Sequence, residues 1–62
     1  MDQNILKQRV LKFIAATGVS KSQFAKRIGF ERSSYYKWIK SDLNFGDEKC
    51  RRIDEYLSRF GF

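Results

Sequence analysis

Apolar residues recur at helical spacing in four segments of the chain, and glycines and polar turns separate these segments. In residues 3–17 the apolar positions form one stripe with steps of three or four, which is typical of an amphipathic helix. The stripe consists of Leu6, Val10, Phe13 and Thr17, with Ile14 beside it. Gly18 follows at the position where a left-handed helix cap is common. The pattern therefore predicts a first helix over residues 3–17.

The second segment opens with a clear helix start signal. Ser20 is a favourable N-cap residue and Gln23 follows three positions later, which is the spacing of a capping box. Val19 and Phe24 occupy the two positions of a hydrophobic staple. We therefore expect a short second helix that starts at Lys21. Its apolar face consists of Phe24, Ala25 and Ile28, and Gly29 ends the helix.

Two further helices are predicted, over residues 32–40 and 47–59. Residues 41–46 between them are turn-like, and we expect either Leu43 or Phe45 to enter the core from this loop. The expected inner positions are Tyr35, Trp38 and Ile39 in the third helix and Cys50, Ile53, Leu57 and Phe60 in the fourth. A chain of 62 residues holds one small domain. The sequence thus predicts one compact all-α domain over residues 1–62. It has four helices, or five helices in an alternative interpretation.

Basic charge is concentrated in the first two thirds of the chain. The net charge is +6, and residues 7–40 contain nine basic side chains against one acidic side chain, Glu31. This distribution indicates an anionic partner, although a merely solubilising basic surface is the simpler alternative. Lys7, Arg9 and Lys12 are assigned to that solubilising role. The fourth helix is expected to neutralise itself through the i,i+4 pairs Asp47–Arg51, Glu48–Arg52, Arg51–Glu55 and Glu55–Arg59.

The composition disfavours several classes of function. The chain has no histidine, so the commonest general base and the commonest metal ligand are both missing. Its one cysteine, Cys50, forms no internal disulfide and is expected to be a small core residue. We therefore expect no enzyme, no metal and no cofactor. No apolar run approaches the ~20 residues that span a bilayer, and the first residues do not resemble a signal peptide, so a cytoplasmic protein is expected.

The second and third helices carry a familiar spacing of small and apolar residues. Ala25 is followed by Gly29 four positions later, and apolar residues stand six and nine positions beyond that glycine, at Tyr35 and Trp38. Over residues 10–57 the chain resembles the Cro/CI-type (XRE-like) helix-turn-helix family of phage and bacterial regulators. The resemblance implies a lambda-repressor-like fold in which helices two and three form the helix-turn-helix.

Three positions depart from the family pattern. Lys21 replaces a frequent glutamine and still suits a phosphate, as a point charge. Glu31 replaces a serine or threonine cap, and its carboxylate either repels phosphate or accepts a hydrogen bond from cytosine. Tyr35 replaces a branched aliphatic residue, so a buried ring needs a partner or water for its hydroxyl.

The resemblance also implies a DNA site, with the third helix in the major groove. The implied base-contacting residues are Arg32, Ser33, Tyr36 and Lys37. The implied phosphate-binding residues are Lys21, Ser22, Gln23, Lys26 and Lys40. The alternative is that these side chains are only the solvated face of two amphipathic helices.

The expected function is sequence-specific binding of double-stranded DNA by a phage or bacterial transcriptional regulator of the repressor type. A palindromic target needs two copies. Three interpretations of the C-terminal aromatic residues stay open: a homodimer contact through Tyr56, Phe60 and Phe62, a cap on the core, or a frayed end. Two other interpretations of the function remain open: the basic face binds a host protein, or it binds RNA with Arg32 and Tyr36 against the bases.

Overall fold

The computed structural model describes residues 2–62, and this part of the chain contains four α-helices and no strand. They are α1 (Gln3–Thr17), α2 (Lys21–Arg27), α3 (Arg32–Ile39) and α4 (Asp47–Arg59). The all-α class and the four predicted helices are confirmed, and α3 ends one residue earlier than expected. The radius of gyration is 10.5 Å, close to the ~10.6 Å expected of a compact chain of this length.

Side chains and a glycine set the ends of α1 and α2, as predicted at Gly18 and Ser20, whereas the N-cap at Asp2 was not predicted. The Asp2 carboxylate accepts hydrogen bonds from the first backbone N–H groups of α1. Gly18, at φ 72°, closes the helix and donates to the Ile14 carbonyl. The Ser20 hydroxyl accepts from the Gln23 N–H at 3.1 Å, so α2 has its N-cap. The Gln23 side chain makes no return bond to a described residue, so only this half of the predicted capping box forms.

The core lies where α1 packs against α4 and α2 packs against α3. Its buried apolar members are Leu6, Val10, Phe13, Phe24, Ala25, Ile28, Phe30, Tyr35, Trp38, Phe45, Cys50, Ile53 and Leu57. Phe45 enters from the loop before α4 and stacks on Trp38, with ring centroids 4.8 Å apart. Leu43 packs only at the edge of the core. Of the two expected loop residues, Phe45 is therefore the one that fills the interior.

Gln3 joins the start of α1 to this loop and to α3, a role that the sequence did not indicate. Its side-chain oxygen accepts from the Trp38 indole N–H at 2.6 Å, and its amide donates to the Phe45 carbonyl at 2.7 Å. The Phe45 N–H also donates to the Gln3 oxygen at 3.3 Å. Because these bonds satisfy the indole and the loop backbone, they let Trp38 and Phe45 be buried without an orphaned donor.

The prediction that Phe60 belongs to the inner face of α4 is wrong. Phe60 follows the last helical residue, its φ of −103° leaves the helix, and its side chain is 52% exposed. The helical spacing that would bury it therefore no longer applies. Its ring lies on the outside of Phe13, at 5.4 Å between centroids, and Phe62 meets the same ring edge-on at 5.5 Å.

The expected self-pairing of α4 is also largely wrong. Within residues 2–62, Glu48 and Arg52 form the single i,i+4 ion pair of the helix, at 3.9 Å and well exposed. Asp54 instead pairs with Arg9 of α1 at 2.6 Å. Exposed pairs along one helix gain too little energy to hold two long side chains together, whereas the packed α1–α4 contact places Arg9 beside Asp54.

Two of the three cations that were assigned to solubility have structural roles instead. Lys7 is buried, donates to the Ser41 hydroxyl at 3.0 Å and lies over the Trp38 ring. Its ammonium thus has a polar and an aromatic partner where water is scarce. Arg9 binds α4 as described. Lys12 is exposed, in agreement with its prediction.

The buried side chains include one thiol and one phenol. Cys50 is a core residue as predicted, and burial, with a smaller contribution from Asp47, raises the pKa of its thiol. Tyr35 is fully buried, and its hydroxyl meets neither bulk solvent nor a hydrogen-bonding group among residues 2–62. Burial, with a smaller contribution from Tyr36, raises the pKa of Tyr35 to about 12.

Candidate nucleic-acid interface

The candidate site is built on α2 and α3, which a short turn joins. Gly29, at φ 78°, takes the left-handed conformation that glycine adopts without strain. The Phe30 N–H then donates to the Ala25 carbonyl at 2.8 Å, so the chain reverses immediately after α2. The small side chain of Ala25 is buried, and the Phe24 and Tyr35 rings meet at 5.9 Å. The turn and these contacts fix α3 relative to α2.

The two faces of α3 differ sharply in character. Tyr35 and Trp38 are fully buried. At ~100° per residue, the other side chains of interest fall within an arc of about 140° that points away from the core. These are Arg32, Ser33, Tyr36, Lys37 and Lys40, of which Tyr36 is half-buried and the others are exposed. The four base-contacting candidates therefore share one face.

Arg32 and Tyr36 contact each other on this face. The Arg32 guanidinium lies 5.6 Å from the centre of the Tyr36 ring, and that ring packs edge-on against the buried Tyr35 at 5.8 Å. A cation–π contact of this kind leaves N–H groups of the guanidinium free to donate. The pair thus presents a partly ordered hydrogen-bond donor fork above an aromatic surface.

The candidates on α2 are all exposed. Lys21, Ser22 and Gln23 lie in the first turn, and Lys26 lies in the last. Because Ser20 supplies the cap, the side chains of Ser22 and Gln23 are not needed for it. The first turn of a helix also offers backbone N–H groups that favour an anion.

The nine candidate residues include five cations and no carboxylate. The two ion pairs among residues 2–62 involve none of these five cations, so their charge is not neutralised by the protein. Glu31 is the nearest acidic residue in sequence. It occupies the N-cap position of α3, makes no side-chain cap bond and is exposed. Since Arg9 is paired and Lys7 is buried, the unpaired positive charge of the first three helices is concentrated on α2 and α3.

Three arginines outside the candidate set lie close to Lys26. Arg27, Arg52 and Arg59 line an open cleft between the end of α2 and α4. The sequence contained a usable signal, because Arg52 and Arg59 are seven positions apart and so share one face of α4. The assumption that α4 pairs its own charges concealed that signal.

Comparisons with protein-family models, with curated proteins and with solved structures give no match to this chain. Membership of the Cro/CI-type family therefore stays a prediction. Within residues 2–62, no helix is long and apolar enough to cross a membrane, and no group of side chains has the composition of a metal site.

Proposed function

We propose that the protein binds double-stranded DNA in a sequence-specific manner, with α2 and α3 acting as a helix-turn-helix. The observation that carries the proposal is the set of five unpaired cations on two helices that a tight glycine turn holds together. DNA binding proteins neutralise backbone phosphates with such lysines and arginines. The outer face of α3 then enters the major groove, whose width admits one α-helix.

Base recognition is assigned to α3. Arg32 donates two hydrogen bonds to guanine O6 and N7, a contact worth ~1–3 kcal/mol of discrimination. Lys37 reaches a second guanine, and Ser33 bonds to a base edge with little preference. The exposed side of the Tyr36 ring contacts a thymine methyl group. The cation–π contact of Arg32 with Tyr36 supports this assignment because it limits the freedom that the arginine loses on binding.

Phosphate contacts are assigned to both helices. They come from Lys21, Ser22, Gln23, Lys26 and Lys40, all of which are exposed. These contacts orient the protein but carry no sequence information. The biological role that fits is a phage or bacterial transcriptional regulator in the cytoplasm.

Two copies on a palindromic operator complete the proposal. Their half-sites lie roughly 34 Å apart along the duplex. The exposed aromatic surface at the end of α4 supports self-association, since Phe60 is 52% and Phe62 is 36% exposed. Tyr56, beside Phe60, completes that surface.

The test is duplex binding at several salt concentrations. The wild type should bind random duplex DNA, with log K falling against log salt at about −0.9 per phosphate contacted. Lys21→Ala should weaken every duplex by a similar factor and reduce this slope by about one contact. Arg32→Ala should relax the preference at a single base pair of the selected site. Lys12→Ala removes an exposed lysine outside the site and should leave binding unchanged.

Three outcomes contradict the proposal. One is the absence of duplex binding at low salt. Another is an equal effect of Lys12→Ala and Lys21→Ala, because it means that only net charge matters. The third is tighter binding to single-stranded RNA than to duplex DNA. The mass of the complex in the same titration gives the number of copies per duplex.

A further inference from the structure

The cleft between the end of α2 and α4 is a second charged surface. It has a volume of about 370 Å³ and opens to solvent. Its lining residues are Lys26, Arg27, Ile28, Gly29, Arg52, Glu55, Tyr56 and Arg59. Four cations therefore surround one carboxylate. This surface comes from two helices that are distant in sequence, and its α4 cations, Arg52 and Arg59, belong to no site described so far.

The cations of the cleft are only weakly neutralised by the protein. Lys26 and Arg59 have no ion-pair partner among residues 2–62. Arg27 donates to the neutral Tyr56 hydroxyl at 3.4 Å, which orients the guanidinium without removing its charge. Arg52 is 3.9 Å from Glu48, and both side chains are largely solvated.

Arg52 reaches from α4 to the turn after α2. A Cβ built on Gly29 would lie 3.7 Å from the Arg52 Nη1 atom, so the guanidinium rests against the open backbone of this glycine. The floor beside it is apolar, because Ile28 is buried and the Tyr56 ring is anchored on Phe13 and Phe24 at 5.6 Å each. The cleft thus combines a basic rim with a partly apolar floor.

We propose that this cleft binds an acidic segment of a partner protein. Arginine clusters recognise acidic peptide motifs, and the guanidinium fork matches a carboxylate in geometry. Arg27, Arg52 and Arg59 bind the carboxylates of the segment, and an apolar side chain of the segment covers Ile28 and the Tyr56 ring. The cleft shares Lys26 with the proposed DNA site, but the three arginines that bind the segment are not part of that site.

Two features favour a peptide over a DNA backbone here. The deoxyribose rings of a DNA backbone offer less apolar surface to Ile28 and Tyr56 than the apolar side chains of a peptide that alternates acidic and apolar residues. The cleft also lies at the carbonyl end of α2, about 9 Å along the helix from Lys21. The negative end of the α2 dipole and the Glu55 carboxylate both disfavour a continuous row of phosphates. A peptide can place its carboxylates away from these two groups.

The experiment measures fluorescence anisotropy of a short fluorescein-labelled peptide of alternating glutamate and leucine. A peptide of alternating glutamine and leucine is the uncharged control. The cleft variant is Arg52→Gln with Arg59→Gln. The matched control, Lys12→Gln with Arg51→Gln, loses the same charge from exposed positions that do not line the cleft. Circular dichroism checks that both variants keep the helices.

We expect the acidic peptide to bind the wild type and the matched control with similar affinity, and the cleft variant at least tenfold more weakly. In amide NMR spectra of the wild type, the peptide should shift the resonances of Ile28 and Gly29. Absence of peptide binding overturns the proposal, and so does an equal loss in both variants. It is also overturned if the cleft variant binds random duplex DNA at least tenfold more weakly than the matched control does, because the cleft cations then contact the DNA backbone.

Discussion

At the residue scale, Tyr35 is the side chain whose chemistry agrees least with its surroundings. The ring packs well, between Phe24 on one side and Trp38 on the other. Its hydroxyl, however, is buried without a hydrogen-bonding group of the described chain. A buried polar group in this condition costs ~1–3 kcal/mol. The sequence identified the position as unusual, but whether the hydroxyl finds a partner depends on side chains from other helices.

We expect Tyr35→Phe to stabilise the protein. The change removes the unsatisfied hydroxyl and keeps the ring, so the free energy of unfolding should rise by about 1 kcal/mol at neutral pH. Urea denaturation followed by circular dichroism measures this difference. Tyr36→Phe, at the neighbouring half-buried ring, should change stability by less than ~0.5 kcal/mol. A loss of stability in Tyr35→Phe would show that its hydroxyl has a favourable partner.

The same residue gives a pH dependence. Its pKa is about 12 in the folded protein and 10.0 in the unfolded chain, so the folded state holds this proton more tightly. The contribution of the Tyr35 proton to the free energy of unfolding is fully present below pH ~10. It is lost as the pH rises to about 12, because the unfolded state releases the proton first. Wild-type stability should therefore fall in this window by up to ~3 kcal/mol more than that of Tyr35→Phe. If the free energy of unfolding falls in parallel for the two proteins between pH 10 and 12, the pH dependence does not come from Tyr35.

At the scale of the helices, the boundaries were predictable because their signals are local. Ser20 and Gly18, which were predicted as caps, act on backbone groups within four residues of themselves, and so does Asp2, which was not predicted. Apolar periodicity inside each helix is likewise set by neighbouring positions. The error at Phe60 arose because the helical periodicity was carried one position past Arg59, where both the predicted and the observed helix end.

The N-cap of α2 provides a matched test of such a local signal. Ser20→Ala removes the acceptor for the Gln23 N–H and should lower the free energy of unfolding by ~1 kcal/mol. Ser22→Ala makes the same chemical change two residues later, on a side chain without a hydrogen bond to residues 2–62. It should leave stability within ~0.5 kcal/mol of the wild type. Thermal or urea unfolding measures the stabilities of the two variants under the same conditions. Equal stabilities of Ser20→Ala and Ser22→Ala would mean that the cap contributes nothing.

Contacts between helices were mostly not predictable from the sequence. Gln3 binds Trp38 and Phe45, which are 35 and 42 positions away, and a lone polar residue in a first turn gives no hint of this. The choice between Leu43 and Phe45 likewise depended on the space beside Trp38. The outward face of α3 could be predicted, since it is the complement of the buried positions. Arg52 and Arg59 could be placed on one face of α4, but the α2–α4 cleft itself could not be predicted, because it requires the packing of the two helices.

At the scale of the whole molecule, the distribution of charge differs from the sequence-based expectation. The total of +6 is fixed by composition, but α1 uses two of its cations internally and α4 leaves most of its own unpaired. Positive charge is therefore available on two surfaces that meet at Lys26: the outer face of α2 and α3, and the α2–α4 cleft. Under the two proposals above, the first surface contacts DNA and the second contacts an acidic protein segment.

Arg9 connects α1 to α4 and to the residues that follow α4. It donates to Asp54 at 2.6 Å, to the Phe62 carbonyl at 2.7 Å and to the Ser58 hydroxyl at 3.3 Å. These bonds hold α4 and the residues after it against α1, where Phe60 and Phe62 cover Phe13. The pair is partly solvated, with side-chain exposures of 27% and 36%, so each charged hydrogen bond contributes less than it would in the core.

We expect Arg9→Gln to lower the free energy of unfolding by about 1–2 kcal/mol, since three hydrogen bonds are lost. Lys12→Gln removes an exposed charge from the same helix and should have an effect below ~0.5 kcal/mol. A double-mutant cycle with Asp54→Asn separates the ion pair from the other two bonds, and its coupling energy should shrink at ~1 M salt, where the screening length is about 3 Å. A coupling energy of zero at low salt would mean that Arg9 acts only through Phe62 and Ser58. The ring resonances of Phe13 should then still shift in Arg9→Gln, because Phe62 would no longer be held against that ring.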